Sequence, residues 1–196
     1  VMVCLVTSPP EKTAEFTKVE SGETITVRNV DELLAAIGPD REILLELVEK
    51  AVLAPSASNL QAWRFCVIDE ENLVRKVDMF SPGLSGKPPV IIAVCSDYGY
   101  AQQKTSGSNY KAYGCIMDAS MAAENLMLAA VEKGLGTCAI KSFNEAAVRK
   151  LLKLPEDLHL ELLISLGYPA HEPAMPKRKE TDEIAFFNTW EAKTDE

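Results

Sequence analysis

The amino-acid sequence predicts an α+β fold in which a sheet is sandwiched by helices. Three observations predict it. Helical patterns such as REILLELVEKAVL (41–53) alternate with short strand-like runs. One of these runs, VIIAVCSD (90–97), is continuously apolar, as in a strand covered on both faces. The chain has 196 residues, enough to bury one substantial core, and we find no internal repeat or linker that would divide it.

The N-terminal region predicts less regular structure. VMVCLV (1–6) predicts an edge strand, and residues 7–22 are polar, with Pro9 and Pro10, as in an extended arm. We therefore predict that residues 1–22 are an extension of unclear role and that residues 23–196 form a single domain.

Caps and breakers mark the remaining elements in order. Asp31 can cap a short helix that ends at Gly38, and Asp40 can cap the helix after it. Ser142 and Glu145 have the spacing of a capping box. The other predicted elements are strands at 23–30, 64–69, 136–140 and 159–168, helices at 72–80, 110–133 and 145–154, loops at 81–89 and 99–109, and a tail with a short helix or extended arm.

Charge and cysteine usage exclude several classes. A formal net charge of -9 argues against nucleic-acid and anionic-membrane partners. No apolar run approaches the roughly 20 residues of a membrane span. VMVCLV has no basic flank, which argues against a signal peptide. The five cysteines form no CxxC pair and there are two histidines, so we predict no metal site, reduced thiols and a cytoplasmic protein.

The long helix is unusual because it is small or apolar nearly all the way round from Ala112 to Ala130. Such a helix must be buried on all sides. Two placements satisfy this requirement: the centre of a monomer, or partial burial against a second chain.

Polar side chains are concentrated in APSASNLQAWRF (54–65), between a helix and a strand. Pro55 ends the helix, and Ser56, Ser58, Asn59 and Gln61 follow it. Such a cluster can satisfy its own backbone. It can equally hydrogen-bond a planar heteroaromatic ligand.

Two further segments are candidates for ligand contacts. In KGLGTCAIKSF (133–143), Gly134 and Gly136 permit a close approach of the backbone, although the segment is neither a dinucleotide fingerprint nor a P-loop. PKRK (176–179) is either a solvated charge cluster or an anion clamp, and Arg28 is another candidate for such a clamp.

Taken together, these motifs resemble the nitroreductase family of FMN-dependent oxidoreductases. APSASNLQAWRF is similar to the family's A-P-S-x-x-N-x-Q-P-W-x-F, and DASMAAENLMLAAVEKGLGTC (118–138) to D-x-x-x-A-x-x-N-L-x-L-A-A-x-x-x-G-L-G-[ST]-C. LLISLGYPAHEP (162–173) and KRKETDEIAFFNTW (177–190) are similar to its closing motifs.

The resemblance implies a central, mainly antiparallel sheet flanked by helices, in an intertwined homodimer with FMN at the subunit interface. Side chains or backbone groups from three regions would hold the FMN. They are Pro55, Ser56, Ala57, Asn59 and Gln61 along one edge of the ring, Gly136, Thr137, Lys141 and Ser142 on the other side, and Thr26, Arg28, Lys177, Arg178 and Lys179 at the phosphate.

Two departures from the family pattern affect these expectations. The family's phosphate motif R-R-S-x-R corresponds here to TITVR (24–28), in which Thr24 and Ile25 replace arginines and Thr26 stands in for the serine. Each lost charge-assisted bond is worth roughly 1.5–3 kcal/mol, so FMN binding is expected to be weaker. The proline of Q-P-W is Ala62 here.

The implied reaction is a ping-pong hydride transfer from NADH or NADPH, through the flavin, to a nitroaromatic, quinone or similar acceptor. No side chain is nominated as a catalytic nucleophile; Lys87 is a candidate cation near the flavin. Segments 80–88 and 99–109 would shape the acceptor pocket. Two alternatives are a flavin-binding sensor or carrier without turnover, and a flavin-free structural dimer.

Overall fold

The computed structural model describes residues 14–17, 24–27, 37–84, 86–105, 110–169 and 173–190. The predicted strand over 1–6, the body of the helix after Asp31, and Arg28 lie outside these residues. The elements are β1 (Ala14–Thr17), β2 (Thr24–Val27), α1 (Arg41–Ala51), a 3₁₀ helix (Ala57–Asn59), β3 (Trp63–Ile68), α2 (Glu71–Met79), β4 (Val90–Asp97), α3 (Tyr98–Lys104), α4 (Tyr110–Glu132), β5 (Gly136–Ile140), α5 (Glu145–Leu151), β6 (Leu158–Gly167) and α6 (Thr181–Ile184).

The strands form an antiparallel four-stranded sheet of order β3-β4-β6-β5. Strands β1 and β2 pair with each other, so part of the segment expected to be an extended arm is a strand. The α+β class with an antiparallel central sheet is therefore confirmed.

Helices cover both faces of the four-stranded sheet. One face of β4 packs with α1 and α4, and its other face packs with α2 and α5. Alternation along β4 sends Ile92 and Val94 to the first face and Ile91 and Ala93 to the second. Each buried Ile or Leu contributes about 1.5–3 kcal/mol. The expectation that VIIAVCSD is covered on both sides is correct.

Strand β6 contains a bulge at Glu161. Val94 pairs with Leu162 and Cys95 with Leu160, so Glu161 has no partner across the ladder. Its Oε1 atom is buried and has no hydrogen-bond partner among the residues that the structure describes.

Helix α4 is buried on one side only. Ala119, Ala122 and Leu126 face the sheet. The expected burial on all sides is therefore not met within one chain, because a row of large apolar side chains remains exposed. We call this row the α4 stripe: Tyr113, Ile116, Met117, Met121, Leu128 and Val131.

By length and composition alone, Tyr113–Glu132 of α4 could cross a membrane, and 44% of that window is buried inside the fold. Core helices of soluble proteins have the same composition. Both the side of α4 that packs on the sheet and the exposed α4 stripe contribute to this composition.

Two local expectations were wrong. Residues 99–104 of the expected loop lie in α3, because the Asp97 carboxylate accepts a bond from Tyr100 N at 2.9 Å and caps a helix there. Helix α5 is capped by Asn144, whose Oδ1 accepts from Ala147 N at 3.0 Å, and not by Ser142.

Pro89, at the entrance to β4, lies between two glycines. A Cβ atom on Gly38 would lie 2.8 Å from Pro89 Cβ, and one on Gly167 would lie 2.9 Å from Pro89 Cδ. Any side chain at either glycine would therefore displace the proline.

Candidate active site

The polar segment Pro55–Gln61, which we call the polar loop, has an unusual backbone. Ser58, Asn59 and Gln61 all have left-handed φ values, of 51°, 52° and 52°. Such conformations cost of order 1–3 kcal/mol each for residues other than glycine and persist only where surrounding contacts impose them. Except for Leu60, which is buried, the residues of the loop are exposed or half-buried.

Hydrogen bonds hold the polar loop in this conformation. The Ser56 hydroxyl accepts from Gln61 N at 3.0 Å, and Gln61 Nε2 donates to Asn59 Oδ1 at 3.0 Å. Ala57 N donates to Oδ1 of Asp118, on α4, at 3.3 Å. The loop is thus preformed, with its amide side chains at the surface.

Arg64 holds the other end of the polar loop. Its guanidinium donates to Gln61 O at 3.2 Å and to Trp63 O at 2.8 Å, and forms an ion pair with Asp97 at 3.1 Å. Its Cζ atom also lies 5.6 Å from the Tyr100 ring centroid. These contacts fix the junction between the loop and β3.

The second candidate segment follows β5. Thr137 is buried, whereas Lys141 and Ser142 are exposed. The Lys141 ammonium donates to Leu160 O at 3.2 Å, next to the bulge. Its side chain is therefore held on β6.

The loop after α2 packs on this second segment. Gly83 N donates to Ser142 O at 3.1 Å, and Asn144 N donates to Phe80 O at 2.7 Å. A Cβ on Gly83 would lie 2.5 Å from Ile140 Cγ2, so only glycine permits this approach. Residues of the expected acceptor segment 80–88 thus contact Ser142.

The two candidate segments lie at opposite edges of the sheet. The polar loop precedes β3 and the other segment follows β5, with β4 and β6 between them. Three strand spacings amount to about 14 Å. At the end of the sheet between the segments, Tyr98 stacks on His159 with ring centroids 3.9 Å apart. Within one chain, the two segments therefore adjoin strands that are three strand spacings apart.

The proposed phosphate ligands lie elsewhere. Lys177, Arg178 and Lys179 are exposed on the tail that follows β6. Thr26 lies in β2, outside the four-stranded sheet. Within the described residues, neither group is shown in contact with the polar loop.

Beneath the polar loop, Cys115 is surrounded by apolar side chains and lies near several carboxylates. Cys115 packs with Leu60, and burial, followed by the charges of Asp118, Glu161 and Asp97, raises the pKa of its thiol to about 11. Burial and the nearby Glu161 carboxylate likewise raise the pKa of the Tyr98 phenol. Both groups are protonated at neutral pH, so neither supplies a nucleophile.

A sequence profile of the Nitroreductase family matches residues 33–82 and 81–168, more than half of the chain. The chain belongs to the Nitroreductase family. The matched residues include the polar loop and the Gly136–Ser142 segment, both of which had been assigned from the sequence. They also include α4 and the whole four-stranded sheet.

Individual proteins are similar to this chain over two thirds or more of its length. A protein of Archaeoglobus fulgidus with the provisional name NADH dehydrogenase/NAD(P)H nitroreductase is 34% identical over 143 residues, covering 68% of this chain and 78% of the relative. The iodotyrosine deiodinase of Thermotoga neapolitana is 27% identical over 179 residues, covering 78% and 89%.

Solved structures give the same family fold. An FMN-dependent nitroreductase from Clostridium difficile is 26% identical with a TM-score of 0.64, covering 79% of this chain and 91% of that one. The NfrA1 nitroreductase of Bacillus subtilis has a TM-score of 0.73 at 21% identity, covering 82% and 71%, and shows the fold alone.

Sequence reasoning missed three residues that shape this nitroreductase-family site: Arg64, Gly83 and Asp118. Arg64 and Asp118 lie within the quoted motifs, and Asp118 is one of only two acids in the sequence from Ala112 to Ala130, which was a usable signal. No sequence signal marked Gly83, because its close approach to Ile140 joins residues that are distant in sequence.

Proposed function

We propose that the chain is an FMN-dependent oxidoreductase that takes hydride from NADH or NADPH and delivers it to a small aromatic, quinone or nitro-type acceptor in a ping-pong cycle. The observation that carries the proposal is the preformed polar loop, which presents Asn59 and Gln61 at the surface at a cost in backbone strain. Contacts from Asp118 and Arg64 hold the loop in this shape before any ligand binds.

The residues present fit FMN. Amide and hydroxyl groups of the polar loop match the donors and acceptors of a flavin ring edge, and Ala57 leaves room beside them. Lys177, Arg178 and Lys179 supply exposed cations for the phosphate, with Thr26 and Arg28 as further ligands. When bound, the flavin supplies the hydride chemistry.

The protein's part in this reaction is to bind and orient. Backbone groups at Gly136, Thr137, Lys141 and Ser142 would contact the second side of the ring, and Pro55 and Ser56 would flank its first side. The segment near Gly83, held against Ser142, would border the acceptor.

We further propose that the site forms between two copies of the chain. The candidate segments are separated by the sheet, whose central strands are covered on both faces. The α4 stripe is exposed, and the tail leaves Phe187 and Trp190 exposed at 89% and 80%. Apolar surface of this extent marks an interaction site, so a second chain would cover it and supply the missing half of the site.

Within the part of the chain that the structure describes, Cys66, Cys95 and Cys115 are free thiols, which supports the proposal of a reducing, cytoplasmic location.

The test is reconstitution with FMN followed by anaerobic mixing with NADH or NADPH in a stopped-flow instrument. We expect stoichiometric flavin uptake, bleaching of the flavin absorbance by the donor, and recovery of colour when a quinone or nitroaromatic is added. Comparing the two donors settles the preference.

Two other outcomes would each reject part of the proposal. Bound flavin that stays oxidised with both donors would indicate a sensor or carrier. A protein that remains colourless with excess FMN would indicate a structural dimer.

A further inference from the structure

Asp118, the first residue of the DASMAAENL motif, has no role in the proposed function. It is 3% exposed and lies on α4, on the side that faces the polar loop. Its Oδ1 atom accepts from Ala57 N at 3.3 Å, across 61 residues of sequence.

The bond has the geometry of a helix cap supplied from elsewhere in the fold. Ala57 is the first residue of the 3₁₀ helix Ala57–Asn59, and the preceding Ser56 makes no side-chain capping bond to it. The Ser56 hydroxyl accepts instead from Gln61 N, further along the loop. The Asp118 carboxylate therefore supplies the N-terminal cap of this 3₁₀ helix, which the Ser56 side chain does not supply.

Three left-handed residues follow this cap directly, and Asn59 and Gln61 are two of them. The backbone of Ser58 and Gln61 is imposed by its surroundings, because isolated residues of these two types avoid this region. Leu60 anchors the loop in the cluster that contains Cys115, one helical turn from Asp118. One face of α4 thus holds the loop through an apolar contact and a carboxylate.

We propose that Asp118 is a positioning residue for the flavin: its buried carboxylate caps the 3₁₀ helix and so holds Asn59 and Gln61 in the orientation that receives the ring. This inference rests on the proposed function. Asp118 acts through the loop and is not itself a ligand of the cofactor.

The test compares Asp118→Ala with Asp118→Asn, which keeps an oxygen acceptor of the same reach. The matched control is Asp40→Ala, which removes another aspartate cap, the one whose Oδ1 accepts from Ile43 N at the start of α1. The readouts are the FMN dissociation constant, the visible circular dichroism of bound flavin, and amide exchange of residues 57–61 in flavin-free protein.

We expect Asp118→Ala to weaken FMN binding about fivefold and to speed exchange of the loop amides by a similar factor, the usual effect of losing a cap. Asp118→Asn should stay within about twofold of wild type, and Asp40→Ala should bind FMN normally. If Asp118→Ala does not fold, Asp118→Ser, whose shorter side chain ends out of reach of Ala57 N, replaces it with the same expected loss.

The outcomes separate the two proposals. Wild type that takes up no FMN overturns the proposed function and, with it, the role of Asp118 towards flavin. Normal FMN binding and normal loop exchange in Asp118→Ala, with a flavin-binding wild type, overturn the positioning role alone. An Asp118→Asn variant as impaired as Asp118→Ala overturns the capping explanation.

Discussion

At the scale of single residues, the polar loop shows how a binding surface is held against local preference. Ser58, Asn59 and Gln61 adopt left-handed conformations, and of the three only asparagine tolerates this region readily. Bonds from Ser56, Asp118 and Arg64 offset that cost. Substitutions in the loop therefore act on both shape and ligand contacts.

Asn59→Leu should weaken FMN binding about tenfold, because it removes an amide contact and places a γ-branched apolar side chain in a left-handed conformation. Equilibrium titration with FMN measures the change. Asn72→Leu, at an exposed position on α2, is the control and should bind as wild type does. Equal affinities for wild type and Asn59→Leu would remove Asn59 from the site.

Arg178→Ala should weaken FMN binding about tenfold or more, because a charge-assisted bond to phosphate contributes roughly 1.5–3 kcal/mol. Riboflavin, which has no phosphate, should bind wild type and variant equally. Arg75→Ala, at an exposed arginine paired with Glu71, serves as the control. A variant that loses riboflavin and FMN affinity together would contradict a phosphate role for Arg178.

At the scale of elements, the sequence predicted what depends on local pattern. The helical pattern capped by Asp40 and the continuous apolar run 90–97 placed α1 and β4 close to their observed bounds, and the bounds of β5 were also predicted. The prediction failed at α3, where the first part of a polar stretch expected to be a loop is helical because Asp97 caps it. The same limit applies to the site: motif positions identified the polar loop, but the bonds from Asp118 and Arg64 depend on strand pairing and helix packing.

The α4 stripe remains exposed within one chain. Met117→Glu should dissociate the proposed dimer, because it would place a charge in an apolar interface. Sedimentation should then give the 21.5 kDa mass of one chain, against twice that mass for wild type. FMN uptake should fall in parallel if both chains contribute to the site.

Met79→Glu, at a methionine on α2 that is even more exposed than Met117, is the control for this substitution and should remain dimeric. A wild-type protein that sediments as a single chain while binding FMN would contradict the shared site.

At the scale of the whole molecule, buried thiols link stability to alkaline pH. Burial, followed by the charge of Cys66, raises the pKa of Cys95 to about 12, and that of Cys115 is raised to about 11, from the ordinary value of 9.0. The folded state therefore holds these protons more tightly than the unfolded state does. This stabilisation is complete below about pH 9 and is lost as the pH rises towards 11–12.

We therefore expect the free energy of unfolding in urea to fall steadily above about pH 9. A double variant with Cys95→Val and Cys115→Ala should show a weaker dependence over the same range. A pH dependence equal to that of wild type would assign the alkaline loss to other groups, such as Tyr98.

The contact between Pro89 and the two glycines has a consequence for engineering. Residues 38, 89 and 167 come from three distant parts of the chain, yet no side chain can be added at either glycine unless the proline ring gives way. Libraries that diversify the neighbouring segment 80–88 to alter acceptor preference should leave this trio unchanged, or vary all three members at once. For the same reason, a chimera made with a related protein would need to take residues 38, 89 and 167 from the same parent.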